Sequence, residues 1–127
     1  MIQFPAGRER RQHHRLACER PVSIHVVHCP DDPGLEKRSL FGMVRNISAD
    51  GLKFTCPQSL PPGTLLHMDI GMPERGHFFK LAARTVRSTP CTDRFEVGVE
   101  LKDSFFRRRD PWAHMVFDAL RELNDPV

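Results

Sequence analysis

Apolar and polar residues alternate over several short stretches of this chain, and turn residues close each stretch. Val22-Ser23-Ile24-His25-Val26-Val27 alternates as a half-buried strand does. The Pro, Asp and Gly of Cys29-Pro30-Asp31-Asp32-Pro33-Gly34 then mark a turn or loop. Leu40 to Ile47 reads as a second strand, Ser48-Ala49-Asp50-Gly51 as a tight turn, and Leu52 to Cys56 as a third strand. Leu60-Pro61-Pro62-Gly63 is another turn, before a fourth strand from Leu65 to Met72. A fifth runs from Phe79 to Arg87, with Leu81, Ala83 and Thr85 on one face. The clearest strand is the sixth, where Phe95, Val97, Val99 and Leu101 face one way.

The period then changes. Asp110-Pro111 is a helix start, with Asp as the cap and Pro at the first helical position. Trp112, Met115, Val116, Ala119, Leu120 and Leu123 follow at helical spacing as one core-facing stripe, and Asn124-Asp125-Pro126 ends the helix. Six short strands at regular spacing predict a closed or nearly closed antiparallel barrel, and the helix would cover one opening or edge. The pattern is mainly β. It divides into residues 1–20, an arginine-rich lead-in without strand or helix period that Pro21 closes, and residues 21–127, the barrel with its helix.

The 127 residues fit one domain. A net charge of +3 makes an anionic partner plausible but is weaker than a duplex-DNA binder shows. No stretch approaches the roughly 20 apolar residues of a spanning helix, and Met1-Ile2-Gln3-Phe4-Pro5 runs directly into charges at Arg8, Glu9 and Arg10. A cytoplasmic protein is expected. Cys18, Cys29, Cys56 and Cys91 form no C-x-x-C pair and read as small buried hydrophobes. His25 and His28 face opposite sides of a strand, and His13 and His14 have no other ligand at metal spacing, so no metal site is expected. No P-loop, dinucleotide fingerprint or nucleophile motif suggests an enzyme.

Two motifs carry chemistry. In Arg10-Arg11-Gln12-His13-His14-Arg15 the guanidinium groups match phosphates and guanine edges in a planar, bidentate way and stack on base faces. In Asn46-Ile47-Ser48-Ala49-Asp50-Gly51, Asn46 and Ser48 project to one side of the chain, and Gly51 suits a positive-φ turn position. Taken alone, the first is also a solvated basic tail and the second an ordinary hairpin turn.

Together, in this order and spacing, the motifs resemble those of the PilZ domain family of cyclic di-GMP receptors. R-x-x-x-R is present as Arg11 to Arg15, and [D/N]-x-S-x-x-G as Asn46 to Gly51. Leu60-Pro61-Pro62-Gly63-Thr64 and Phe95-Glu96-Val97-Gly98-Val99-Glu100-Leu101 are similar to the family's turn before its fourth strand and to its closing strand. The resemblance implies a six-stranded antiparallel PilZ-type β-barrel with a C-terminal helix. It implies that Arg11 and Arg15 grip phosphate and guanine of cyclic di-GMP, that Asn46 and Ser48 bond the ligand from the barrel surface, and that Gly51 holds the turn open. The N-terminal loop would order over the nucleotide. Arg10, just before the motif, favours a stacked ligand pair over a single molecule. Arg8 is a possible supporting contact; Arg84 and Arg87 read first as solvated charges.

No output domain accompanies the barrel, so the signal is expected to pass to an unidentified protein partner in motility, pilus or exopolysaccharide control. The alternative is a PilZ-like interaction domain that does not depend on nucleotide. Binding to a nucleic acid polymer is disfavoured because the chain has no Tyr and its Phe residues mostly fit core positions. Phe105-Phe106-Arg107-Arg108-Arg109 reads as a linker with packed aromatics.

Overall fold

The computed structural model describes residues 15–102 and 111–124. Six strands form a closed barrel: β1 (Leu16–His28), β2 (Ser39–Ser48), β3 (Gly51–Cys56), β4 (Leu65–Met72), β5 (His77–Cys91) and β6 (Arg94–Leu101). The order around the ring is β1-β2-β3-β6-β5-β4, and each neighbouring pair is antiparallel. The helix α1 (Pro111–Asn124) follows. The inward parity of each strand supplies the core, including Ile24 and Val26 on β1, Phe54 on β3, Met68 and Ile70 on β4, and Val97 on β6.

The first strand is longer than its sequence pattern. β1 begins at Leu16, inside the segment read as a lead-in, and Pro21 lies within it rather than before it. From Leu16 to Val22 the strand is laddered to β2, and its pairing with β4 starts at Ser23. Proline lacks an N–H, and a strand with one edge still free tolerates that loss.

Two irregularities decide which side chains reach the outer wall. On β2, Val44 and Ile47 are both in the core although they lie three residues apart. A register shift between Val44 and Asn46 reconciles them and turns Asn46 outward. On β5, a shift between Thr85 and Arg87 does the same for Arg87, while Thr85 stays buried.

Helix α1 closes the barrel end near the β2–β3 hairpin. Trp112 is buried, meets Phe79 edge-on at 5.1 Å between ring centres, and donates its Nε1–H to the Ser48 carbonyl at 2.8 Å. Met115, Val116 and Ala119 continue the buried stripe. Leu123, expected in that stripe, is 69% exposed. At this last turn the helix meets the barrel through ions instead: Arg75 Nη2 donates to Glu122 Oε1 at 2.8 Å.

Candidate ligand-binding site

The second motif is the β2–β3 hairpin. Ser48 pairs with Gly51 and leaves Ala49 and Asp50 as its two-residue loop. The Ser48 hydroxyl donates to Asp50 Oδ1 at 3.0 Å and lies 3.3 Å from the Gly51 carbonyl. Such a local side-chain bond stiffens a turn that backbone bonds alone would leave loose. The Leu101 amide donates to the Asp50 carbonyl at 2.9 Å and ties the hairpin to β6.

Asn46 and Ser48 share one side of β2, as their spacing predicts, because no register shift falls between them. Their environments differ. Asn46 is half-buried at the surface, whereas Ser48 is covered, and the Trp112 indole bonds its carbonyl.

Gly51 does not have the positive φ expected from its place in a turn; among the described glycines that conformation belongs to Gly63 and Gly76. Its requirement is steric. A Cβ at Gly51 would sit 2.4 Å from the Val99 carbonyl oxygen on β6, a backbone atom that cannot swing aside.

The first motif arrives from the other direction. Arg15 stands just before β1, where Leu16 opposes Ile47 and Ala17 opposes Asn46. Its Nη1 donates to Asn46 Oδ1 at 2.8 Å, so one arginine of the basic segment touches the first residue of the turn motif. Arg8, Arg10 and Arg11 lie outside the described residues.

A row of outward-facing residues extends from Asn46 across three further strands. Asn46 opposes Lys53, Lys53 opposes Gly98, and Gly98 opposes Arg87. A Cβ at Gly98 would meet nothing within 4 Å, so the wall is open there. Lys53 is half-buried with its Nζ 4.0 Å from Glu96 Oε1, and Arg87 is exposed with no ion pair among the described residues. Arg84, one row away, is held by Glu100. The row can receive an anion flanked by two cations with a flat group lying over Gly98. Lys53 is not singled out by the sequence, and Gly98 enters there only as part of the closing-strand pattern, not as a site residue. Their signal was parity, since both alternate with core residues of their own strands. Arg87 joins them through the bulge before it, which no period shows.

Among the described residues the cysteines and histidines offer no competing centre. Burial pushes the Cys56 thiol up, away from the thiolate a nucleophile requires. His28 bonds Glu36 and His25 contacts Ser39. Among the described residues no three His, Cys, Asp or Glu side chains group as a metal would need. No described helix is long and apolar enough to cross a membrane.

A family model described as the PilZ domain matches residues 9–105. No curated protein sequence gives a significant match. Among solved structures, the Bacillus subtilis inhibitor of motility MotI/DgrA is similar over 99% of this chain and 55% of its own, with a TM-score of 0.68 and 19% identity. YcgR from Escherichia coli in complex with c-di-GMP is similar over 91% of this chain and 48% of its own, with a TM-score of 0.63 and 13% identity. The PilZ domain of CeSA from a cellulose-synthesizing bacterium is similar over 84% of this chain and 98% of its own, with a TM-score of 0.58 and 18% identity. This chain therefore spans about half the length of the first two. At these identities the likeness is one of fold.

Proposed function

Because the chain belongs to the PilZ domain family, we propose that it is a cytoplasmic receptor for cyclic di-GMP that relays binding to a partner protein. The observation that carries this reading is the Arg15–Asn46 hydrogen bond, which brings the R-x-x-x-R and N-x-S-x-x-G motifs into contact. Arg11 and Arg15 grip the phosphates and a guanine edge. Asn46 presents its amide to the ligand once Arg15 turns toward it. Ser48 fixes the turn through Asp50 and becomes a ligand contact if that bond opens. Gly51 lets the hairpin lie close against β6. Arg10 adds a third guanidinium, which favours a stacked pair of dianions. Lys53 and Arg87 support the same face, with Gly98 leaving room for a base between them.

The relay follows from what lies behind the turn. Ser48 is bonded at its hydroxyl to the hairpin and at its carbonyl to Trp112, so a change in the turn is felt at α1. Two structural neighbours fit the expected pathways: one is described as an inhibitor of motility, and another comes from a cellulose-synthesizing bacterium.

Calorimetry with cyclic di-GMP tests the reading. Replacing Arg11 or Arg15 with alanine should weaken binding at least ~30-fold, about 2 kcal/mol, the size of one hydrogen bond to a charged group. Unchanged affinity in both variants would end it. GMP and a short oligonucleotide, run beside it, should bind far more weakly.

A further inference from the structure

The opposite wall of the barrel has a second set of features that nucleotide binding does not use. Strands β2, β1, β4 and β5 lie side by side there, away from β3 and β6. Phe41 on β2 is 75% exposed and Met43 beside it 42%; Phe78 on β5 is 67% exposed. Large apolar side chains this open on a barrel wall are unusual when they share one face. Between these two rims the outward residues are small or short: Pro21 opposes Met43, Ser23 opposes both Phe41 and Asp69, and Gly71 opposes Phe78. The Phe78 ring lies over Gly71, so the low floor is Pro21 and Ser23, and the groove between the two rims is shallow.

Its end is basic. Next along the same wall is a cavity of about 470 Å³, lined by His25, His67, Asp69, Lys80, Ala82 and Lys102. Registers explain the hollow, since His25 opposes His67 and His67 opposes the much smaller Ala82. Asp69 is the one carboxylate of this lining, and Lys80 already neutralises it with Nζ 3.1 Å from Oδ1. Lys80 also lies 5.8 Å from the Phe78 ring centre, so the basic end and the apolar rim are continuous. Lys102 and His67 line the hollow as well; the Lys102 amide donates to the Ala82 carbonyl at 2.8 Å, and its ammonium has no ion pair among the described residues.

We propose that this wall is the docking surface for an extended acidic segment of a partner protein, with apolar anchors between Phe41 and Phe78 and carboxylates at Lys102 and His67. Charge selects this occupant: the hollow at one end of the apolar groove holds two lysines against one carboxylate, so its lining is net positive, and acidic side chains complement it. The inference deepens the relay half of the proposed function. It places the partner on the wall opposite the nucleotide, so the two can be bound together.

The test uses the full chain, uniformly 15N-labelled, and a fluorescein-labelled peptide of alternating Asp and Leu, with its Lys-for-Asp counterpart as control. Saturable binding of the acidic peptide alone is expected, with amide shifts concentrated at Ser23, His67, Asp69, Lys80 and Ala82. Phe78→Ser combined with Lys102→Glu should weaken the peptide at least ~10-fold, by analogy with loss of an interface anchor. The same variant should keep its cyclic di-GMP affinity within about twofold, because neither residue borders the Asn46–Arg87 row; a tenfold change would be 1.4 kcal/mol. Both exposed substitutions leave the core intact, and a circular dichroism melt verifies this. Absence of saturable binding, or shifts centred on Lys53 and Arg87, would overturn the proposal. Self-association abolished by Phe78→Ser would assign the groove to a second copy of the chain and overturn it equally. If nucleotide binding fails while the peptide binds, the receptor reading falls and the docking surface stands.

Discussion

The indole N–H of Trp112 and the carbonyl of Ser48 are 2.8 Å apart in a buried setting, 64 residues apart in the chain. Through this bond the C-terminal helix is fastened to the backbone of the β2–β3 turn. A buried carbonyl deprived of its donor costs about 1–3 kcal/mol, and a large core aromatic cut to alanine about 3–5 kcal/mol. Trp112→Phe should therefore lower stability by the first amount and Trp112→Ala by the second. Urea unfolding followed by circular dichroism measures both, and a Phe variant as stable as the parent would show that the bond contributes nothing net.

Two glycines on the same wall should respond oppositely to alanine. At Gly51 the new methyl meets the Val99 carbonyl at 2.4 Å, so β3 and β6 must part and stability falls by about 1–3 kcal/mol. At Gly98 the methyl enters open space, so stability should change by less than about 0.5 kcal/mol. On the proposed reading, Gly98→Ala weakens cyclic di-GMP because the methyl occupies the place of the base. Thermal melts with and without nucleotide separate the two effects.

Arg15 and Asn46 should matter to ligand and hardly at all to folding. Their bond is exposed, and exposed polar pairs add at most about 1 kcal/mol. Asn46→Ala is expected to leave the unfolding midpoint nearly unchanged while reducing cyclic di-GMP affinity by ~10-fold or more, about one charge-assisted hydrogen bond. A double-mutant cycle with Arg15→Ala, read by calorimetry, should show coupling in binding and little in stability.

Acid should loosen the helix and the loops around it. Hydrogen bonds from Arg20 hold the Glu74 carboxyl below its usual range, and Arg75 does the same for Glu122. The backbone N–H of Cys29 lowers Glu36 likewise. A carboxyl depressed in the folded state contributes its stability above the unfolded value, about 4.3, and loses it as pH falls through the lower folded value. The melting temperature should be flat at neutral pH and fall below about pH 4. Glu122→Gln should melt slightly lower at neutral pH and show a smaller acid drop; an unaltered acid limb would mean that the Arg75–Glu122 contact does not matter.

Much of the barrel was readable along the chain. Inward and outward positions on β4 and β6 alternate without interruption, and Asp110-Pro111 with the stripe from Trp112 announces the helix. The irregular strands were less legible. In Leu40 to Ile47 the core residues Val44 and Ile47 break the two-residue period, which was the visible trace of a bulge. Pro21 read as a stop because a strand interior normally needs its N–H; nothing local reveals that β4 begins pairing with β1 two residues later. Leu123 fits the helical stripe by spacing yet lies past the end of the packed surface.

The sequence by itself determined which residues alternate, where turns and the helix begin, and that two polar motifs flank one strand. Those features are local, set by side-chain size, backbone preference and period. Only the tertiary structure decided that Arg15 meets Asn46, that Gly51 is required by the Val99 carbonyl rather than by its own φ, and that Lys53, Gly98 and Arg87 form one row. These depend on the register between strands distant in sequence. Closing the ring of six strands fixes that register all at once, and no single segment contains it.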